Sequence, residues 1–204
     1  MPKITSLTVQ TKNKNRCNLF LDGEFFAGIS TETAMKNRLK VGMEVDEKFI
    51  SEVILESEKN QALVKATEYI TKYLKTKYQV KDYLVRKGYS EEIAWYCVDK
   101  LKEYNYIDDI EYSKRFIESQ AKNNGKKMLE YKLMMKGVKK QDIEDAYSNV
   151  EINEKENARL LAEKYLKNKE RTVENKAKAY RYLSGKGFSY EEISSCLDDM
   201  FKED

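Results

Sequence analysis

Histidine is absent from this 204-residue chain, which removes the usual general base at neutral pH and the commonest transition-metal ligand. Proline occurs once, at Pro2, so helices can run without an imposed break. The three cysteines (Cys17, Cys97, Cys196) stand far apart with no CxxC spacing. That speaks against zinc or a disulfide and for small buried side chains in a reducing compartment. No apolar run is long enough to span a bilayer, and the opening MPKITSLTVQ is polar and strand-like rather than a leader. A soluble, cytoplasmic protein with no membrane partner is expected. Neither a glycine-rich phosphate loop nor a nucleophile motif is present, so the chain is expected to be no enzyme and to need no cofactor or metal.

What the chain has is repetition. Lys87-Gly88, Lys136-Gly137 and Lys186-Gly187 recur about every fifty residues, each glycine four residues after a leucine (Leu84, Leu133, Leu183). Isoleucines follow in step at Ile93, Ile143 and Ile193. Three concordant markers predict one helical module used three times, an architecture suited to long partners. Each module reads as helix, helix, glycine, helix. The glycines fit the left-handed position that ends a helix, and the lysine before each suits the negative end of its dipole.

The first thirty residues have another rhythm. Leu7 and Val9 alternate with polar residues, as do Cys17, Leu19 and Leu21; Asp22-Gly23 then supplies a two-residue hairpin turn. Three short strands follow from this, with a short helix over 31–37, a turn at 39–42 and a helix capped by Asp46. So small a sheet needs something to dock on. From about Asn60 the period is helical, with Ala62, Ala66, Tyr69, Ile70, Tyr73 and Leu74 on one stripe. The predicted fold is mainly α: three tandem three-helix modules in an elongated array after a small β-rich N-terminal extension. The extension covers residues 1–59 and the modules 60–107, 108–152 and 153–204.

The segment NYIDDIEYS, residues 105–113, sets Asp108 beside Asp109. Capping accounts for it better than metal binding: Asp108 at the N-cap and Glu111 three residues on form a capping box, and no further ligands stand at coordination spacing. Ser90 and Ser189 head the third helices of their modules, the latter with Glu192 as a full capping box. The corresponding stretch Lys139-Lys140-Gln141-Asp142 lacks a cap.

Together, NYIDDIEYS, the run GKKMLEYKLMMKGV (Gly125–Val138) and the triple Lys-Gly repeat resemble the RecX family of recombinase regulators. The resemblance covers about residues 60–200. It implies a monomer that binds RecA and its filaments on single-stranded DNA and inhibits ATPase and strand-exchange activity. Many relatives carry an arginine and a serine at the first module's helix 1–helix 2 turn. This chain has Leu74-Lys75-Thr76-Lys77-Tyr78-Gln79 there, which keeps positive charge but changes any bidentate contact or serine cap.

Net charge is only +3, yet it is segregated. Residues 72–87, 120–140 and 164–187 are strongly basic, and 141–156 and 190–204 strongly acidic, with 91–103 weakly so. Each module is thus basic around helix 2 and acidic along helix 3. These charges could pair between modules. Alternatively, stacking could set the basic segments on one side as a stripe for an anionic polymer, either DNA phosphates or an acidic groove of a protein filament. The candidate stripe comprises Lys75, Lys77, Lys81, Lys122, Lys126, Lys127, Lys132, Lys176, Lys178 and Arg181. The resemblance implies the RecA filament as partner, and the stripe adds single- or double-stranded DNA as an alternative. Acidic third helices disfavour insertion into a major groove. Tyr69, Tyr73, Tyr112 and Tyr165 are expected to pack in cores. Tyr78, Tyr131 and Tyr180 stand beside lysines, where packing and base stacking compete.

Overall fold

A computed structural model describes residues 1–201, and the chain divides into two compact units. The first holds Met1–Tyr73 and Val80–Tyr106; the second holds Leu74–Gln79 and the chain from Ile107 onward. The acidic end of the third module that includes Lys202 lies partly outside the described residues.

In the first unit, β1 (Ile4–Val9), β2 (Arg16–Leu21) and β3 (Glu24–Ser30) form an antiparallel sheet in that order. Asp22 and Gly23 both take positive φ, 48° and 91°, the geometry that lets a two-residue turn follow the strand twist. Cys17, Leu19 and Leu21 face inward with Ile29 and pack on Ile50 and Val53 of α2 (Glu47–Ile70). The sheet therefore closes its apolar face on the following helix, as its size demands. Ile4 supplies the buried anchor of β1, whereas Val9, at the strand's last position, is exposed. The helix α1 (Thr31–Lys36) follows β3, and the Asp46 carboxylate accepts the Phe49 N–H at 2.7 Å to start α2.

Helix α2 runs unbroken through residues 59 and 60, where the sequence rhythm set the start of the first module. It holds no glycine or proline, and Ala62 and Ala66 simply prolong its buried face. It ends at Ile70, so the stripe does not extend to Tyr73 and Leu74. Those two side chains, expected in the core, are 73% and 44% exposed because no helical turn carries them there. Tyr69 does pack, stacked on Tyr83 with ring centroids 4.1 Å apart. Helices α3 (Lys77–Arg86) and α4 (Glu91–Glu103) complete the first module.

The second unit contains α5 (Asp109–Gln120), α6 (Lys126–Met135) and α7 (Lys140–Tyr147), then α8 (Glu154–Leu166), α9 (Val173–Gly185) and α10 (Tyr190–Met200). The repeat register survives into the packing. Leu84, Leu133 and Leu183 are fully buried, and Ile93, Ile143 and Ile193 nearly so. In all three Lys-Gly turns the residue after the glycine donates its N–H back to that leucine's carbonyl, and Gly88, Gly137 and Gly187 take φ of 91°, 78° and 89°. This is the Schellman closure, which needs a left-handed residue.

Caps mostly follow the sequence. Ser90 accepts from Ile93 N–H, Ser189 and Glu192 close a reciprocal box, and Lys139 provides no side-chain cap. Asp108 accepts from the N–H groups of Ile110 and Glu111 at 2.8 and 3.2 Å. The reciprocal arm expected from Glu111 is not made, because Arg115 one turn on holds that carboxylate at 2.7 Å. A box the sequence reading passed over stands at α3: Thr76 hydroxyl accepts from Gln79 N–H while Gln79 side chain accepts from Thr76 N–H, both at 3.1 Å. Threonine thus does the capping expected of a serine at that turn.

Candidate partner-binding surface

Within the second unit, two joints are built on one plan. In the first, the start of α3 seats on the turn after α6: Thr76 hydroxyl donates to the Lys136 carbonyl at 2.7 Å, and Tyr78 lies against Gly137. Lys77 N–H donates to Asp109 Oδ1 at 2.9 Å, and Lys77 Nζ stands 3.7 Å from Asp109 and 3.6 Å from Asp142. The second joint lies about fifty residues on. Gly125 N–H donates to the Lys186 carbonyl at 3.0 Å, Lys127 N–H to the Gly187 carbonyl at 3.2 Å and Lys126 N–H to Glu154 Oε2 at 3.3 Å. Met128 lies against Gly187.

The lysine in step with Lys77 is Lys126, and it behaves differently. Its Nζ sits 4.8 Å from the Tyr147 ring centroid. The carboxyls of this joint, Glu154 and Glu192, instead lie beside each other. Burial, then the Glu192 charge, pushes Glu154 up to about 7. Asp109 is also raised by burial, against the pull of Lys77 N–H and the Lys77 charge. Burial raises the phenol of Tyr147 as well, and its hydroxyl is enclosed without a hydrogen-bond partner. Sequence reading missed Asp109 and Asp142 as joint residues, since their partner Lys77 is 32 and 65 positions away.

These contacts sort the candidate stripe. Lys77 is held between the two aspartates, Lys81 pairs with Glu91, Lys176 with Asp198 at 2.8 Å and Lys178 with Glu174 at 2.6 Å. Lys75 is half-buried, and Arg181 is exposed with its Nε 3.4 Å from the Ala177 carbonyl. Four of the six candidates in the first and third modules are therefore spent on internal carboxylates.

The four candidates of the second module are not. Among the described residues no carboxylate pairs with Lys122, Lys126, Lys127, Lys132 or Lys136. Lys132 donates to the neutral Asn124 amide oxygen at 2.8 Å, and Lys136 lies 5.7 Å from the Phe116 ring centroid. Leu129 and Leu133 bury one side of α6, which leaves Lys127, Tyr131, Met134 and Met135 in solvent at one helical spacing. Tyr131 is 56% exposed and Met135 68%. Beside them Phe116, Gln120, Tyr131, Lys132, Met135 and Lys136 line a shallow open depression. Tyr180, by contrast, packs edge-on with Tyr190, and Tyr78 is committed to the first joint.

No group of three or more cysteines and carboxylates gathers as a metal site among the described residues, and none of their helices is long and apolar enough to cross a membrane.

Comparison with known proteins gives a consistent family. Residues 2–46 match the model described as the regulatory protein RecX N-terminal domain, 62–101 the first RecX three-helix domain and 153–197 the third. A regulatory protein RecX of Clostridium botulinum (strain Alaska E43 / Type E3) is 40% identical over 212 aligned positions, covering all of this chain and 96% of that one. One of Clostridium tetani is 35% identical over 99% of this chain and 96% of its own. Two crystal structures share the fold. One of a regulatory protein RecX has a TM-score of 0.75 at 24% identity, over 98% of this chain and all of that one. The other, RecX from Lactobacillus salivarius, has a TM-score of 0.65 at 23% identity, over 70% and 96%.

Proposed function

The chain belongs to the RecX family of regulatory proteins, and from that premise we propose that it binds RecA filaments on single-stranded DNA and restrains their ATPase and recombinase activity. The observation that carries the surface assignment is the uncompensated charge of the second module. Within the candidate stripe, the ammonium groups of Lys122, Lys126, Lys127 and Lys132 pair with no carboxylate among the described residues, while Lys77, Lys81, Lys176 and Lys178 of the flanking modules do. A cation already paired gains little from a second anion, because the new contact must displace the old one. Within that stripe the second module thus has most electrostatic binding energy to give. Lying in the filament groove, repeated modules on one chain would add weak contacts through effective concentration. Occupation of the groove would then impede the subunit movements and DNA access that recombination needs.

Direct nucleic-acid binding is a second reading, favoured by Tyr131 standing exposed with Lys127 and Lys132 beside it, an arrangement that can stack a base and hold phosphate. One experiment addresses both. DNA-dependent ATP hydrolysis by RecA is followed with substoichiometric protein, wild type and the Lys122→Glu, Lys127→Glu double variant, alongside a salt titration of DNA binding without RecA. The filament reading expects suppression by wild type, at least about tenfold more protein needed for the double variant, and no tight binding to DNA alone. An unaltered ATPase rate at stoichiometric protein refutes it. A steep log–log salt slope on DNA alone, lost in the double variant, selects the nucleic-acid reading.

A further inference from the structure

Two of the three Lys-Gly turns are occupied. Gly137 and Gly187 have no room for even a methyl group, since a Cβ there would come within 2.2 Å of the Tyr78 side chain or 2.4 Å of the Met128 nitrogen. Each turn seats the first residues of the preceding module's second helix. A carboxylate placed just before the buried isoleucine, Asp142 or Glu192, faces the joint. The first turn shares the glycine and the carboxylate before the isoleucine, whereas the acceptors of the helix-start N–H in the filled joints, Asp109 and Glu154, stand at the starts of α5 and α8. Gly88 has φ 91°, Tyr89 closes the same Schellman bond, and Glu92 precedes Ile93 as Asp142 precedes Ile143. Here, however, a Cβ on Gly88 would meet nothing within 4 Å. Lys87, Gly88 and Glu92 are exposed, and among the described residues no cation pairs with Glu92.

We infer that the Lys87-Gly88-Tyr89 turn and Glu92 form a third socket of this kind, which receives the first turn of a lysine-bearing helix on a RecA subunit. This rests on the filament reading above. The occupant's chemistry is copied from the two filled sockets, where helix-start donors (the Thr76 hydroxyl in one, two N–H groups in the other) meet turn carbonyls, a further N–H meets a carboxylate, and a lysine stands at the first helical position (Lys77, Lys126). The positive end of a helix dipole adds to the attraction of Glu92. Nucleic acid would be repelled by Glu91 and Glu92.

A second copy of this chain is a poor occupant. Its starts of α3 and α6 are already seated. Helix α9 has thirteen residues against ten in α3 and α6, so Lys176, in step with Lys77 and Lys126, lies inside the helix and pairs with Asp198. Thr172 caps the start of α9, accepting Asn175 N–H at 3.2 Å. The start of α9 is thus closed within the third module.

The test measures binding of the full chain to RecA assembled on single-stranded DNA with nucleotide, using Glu92→Lys, Glu92→Gln and, as a control for added charge, Glu118→Lys on the exposed face of α5. Glu92→Lys is expected to weaken binding by about tenfold and Glu92→Gln by less, with Glu118→Lys within about twofold of wild type and all three melting as wild type does. A photo-crosslinking residue at position 92 is expected to attach to the first turn of a RecA helix. Should wild type bind while all three variants bind equally, or the crosslink fall on a strand or loop of RecA, the socket is overturned and the filament reading stands. Should wild type itself not bind the filament, the filament reading fails and takes the socket with it.

Discussion

Replacing Gly88, Gly137 and Gly187 by alanine, one at a time, separates two costs that the three turns share unequally. All three residues have φ between 78° and 91°, so each substitution forces a Cβ into a left-handed backbone at a cost of about 1–2 kcal/mol. At Gly88 nothing further is added, because the space around the new methyl is empty. At Gly137 the methyl would lie 2.2 Å from Tyr78 Cβ and 2.4 Å from its Cγ, less than two carbons can share. The start of α3 must move, and with it go the Thr76 bond to the Lys136 carbonyl and the Lys77 N–H bond to Asp109. The second is charge-assisted and half-buried; losing both adds about 2–3 kcal/mol. At Gly187 the clash is with Met128 backbone, and two neutral backbone bonds are lost instead, for about 1–3 kcal/mol. Urea unfolding followed by circular dichroism is expected to rank Gly88→Ala as mildest by roughly 2 kcal/mol, with Gly137→Ala worst. Equal losses at all three positions would mean that these glycines only terminate helices, and the joints would contribute no stability of their own.

Two further outcomes follow from single carboxyls. Asp108→Ala removes the acceptor for two N–H groups at the start of α5 and is expected to cost about 1 kcal/mol in the same assay, with no effect of chelators before or after the change; metal-dependent stability in wild type would disprove the capping role. Glu154 ionises in the unfolded chain near 4.5 but in the folded chain only near 7, so between those values the folded state holds the extra proton and stability falls as pH rises. With the group only half buried, solvent screening reduces this to about 1 kcal/mol, and Glu154→Gln is expected to flatten that part of the pH profile; an unchanged slope in the variant would assign the titration elsewhere.

The repeat was legible because its markers are local and chemically forced. A left-handed turn wants glycine, and a leucine and an isoleucine at fixed distance from it must both reach the core. Most caps were legible for the same reason, since their partners lie two or three residues away. The joints were not. Asp109 was accounted for by its neighbour Asp108, and nothing near it in sequence points to Lys77. Gly137 and Gly187 already had a sufficient reason to be glycine, which hid the tighter one that Tyr78 and Met128 impose. The candidate stripe was read from charge density alone, which cannot distinguish Lys127, facing solvent, from Lys77, held between two aspartates. Tyr73 and Leu74 were misplaced because a hydrophobic period was extended three to four residues past the end of its helix.

The same joint built twice with different residues shows how the charge alternation is used. In the first, one lysine lies between two aspartates and neutralises the buried carboxylates. In the second, the corresponding lysine has turned onto Tyr147, and burial together with the Glu192 charge pushes Glu154 up to about 7. The reason lies in what each glycine turn receives. A tyrosine fills the first turn at the second helical position, beside the lysine, whereas Lys127 occupies that position in the second joint and Met128 fills the turn one residue later. Lys126 is then directed toward α7, and Lys127 is left in solvent beside Tyr131. A one-residue shift of the filling side chain thus leaves the ammonium groups of Lys126 and Lys127 without a carboxylate partner, beside a glutamate that titrates near neutrality.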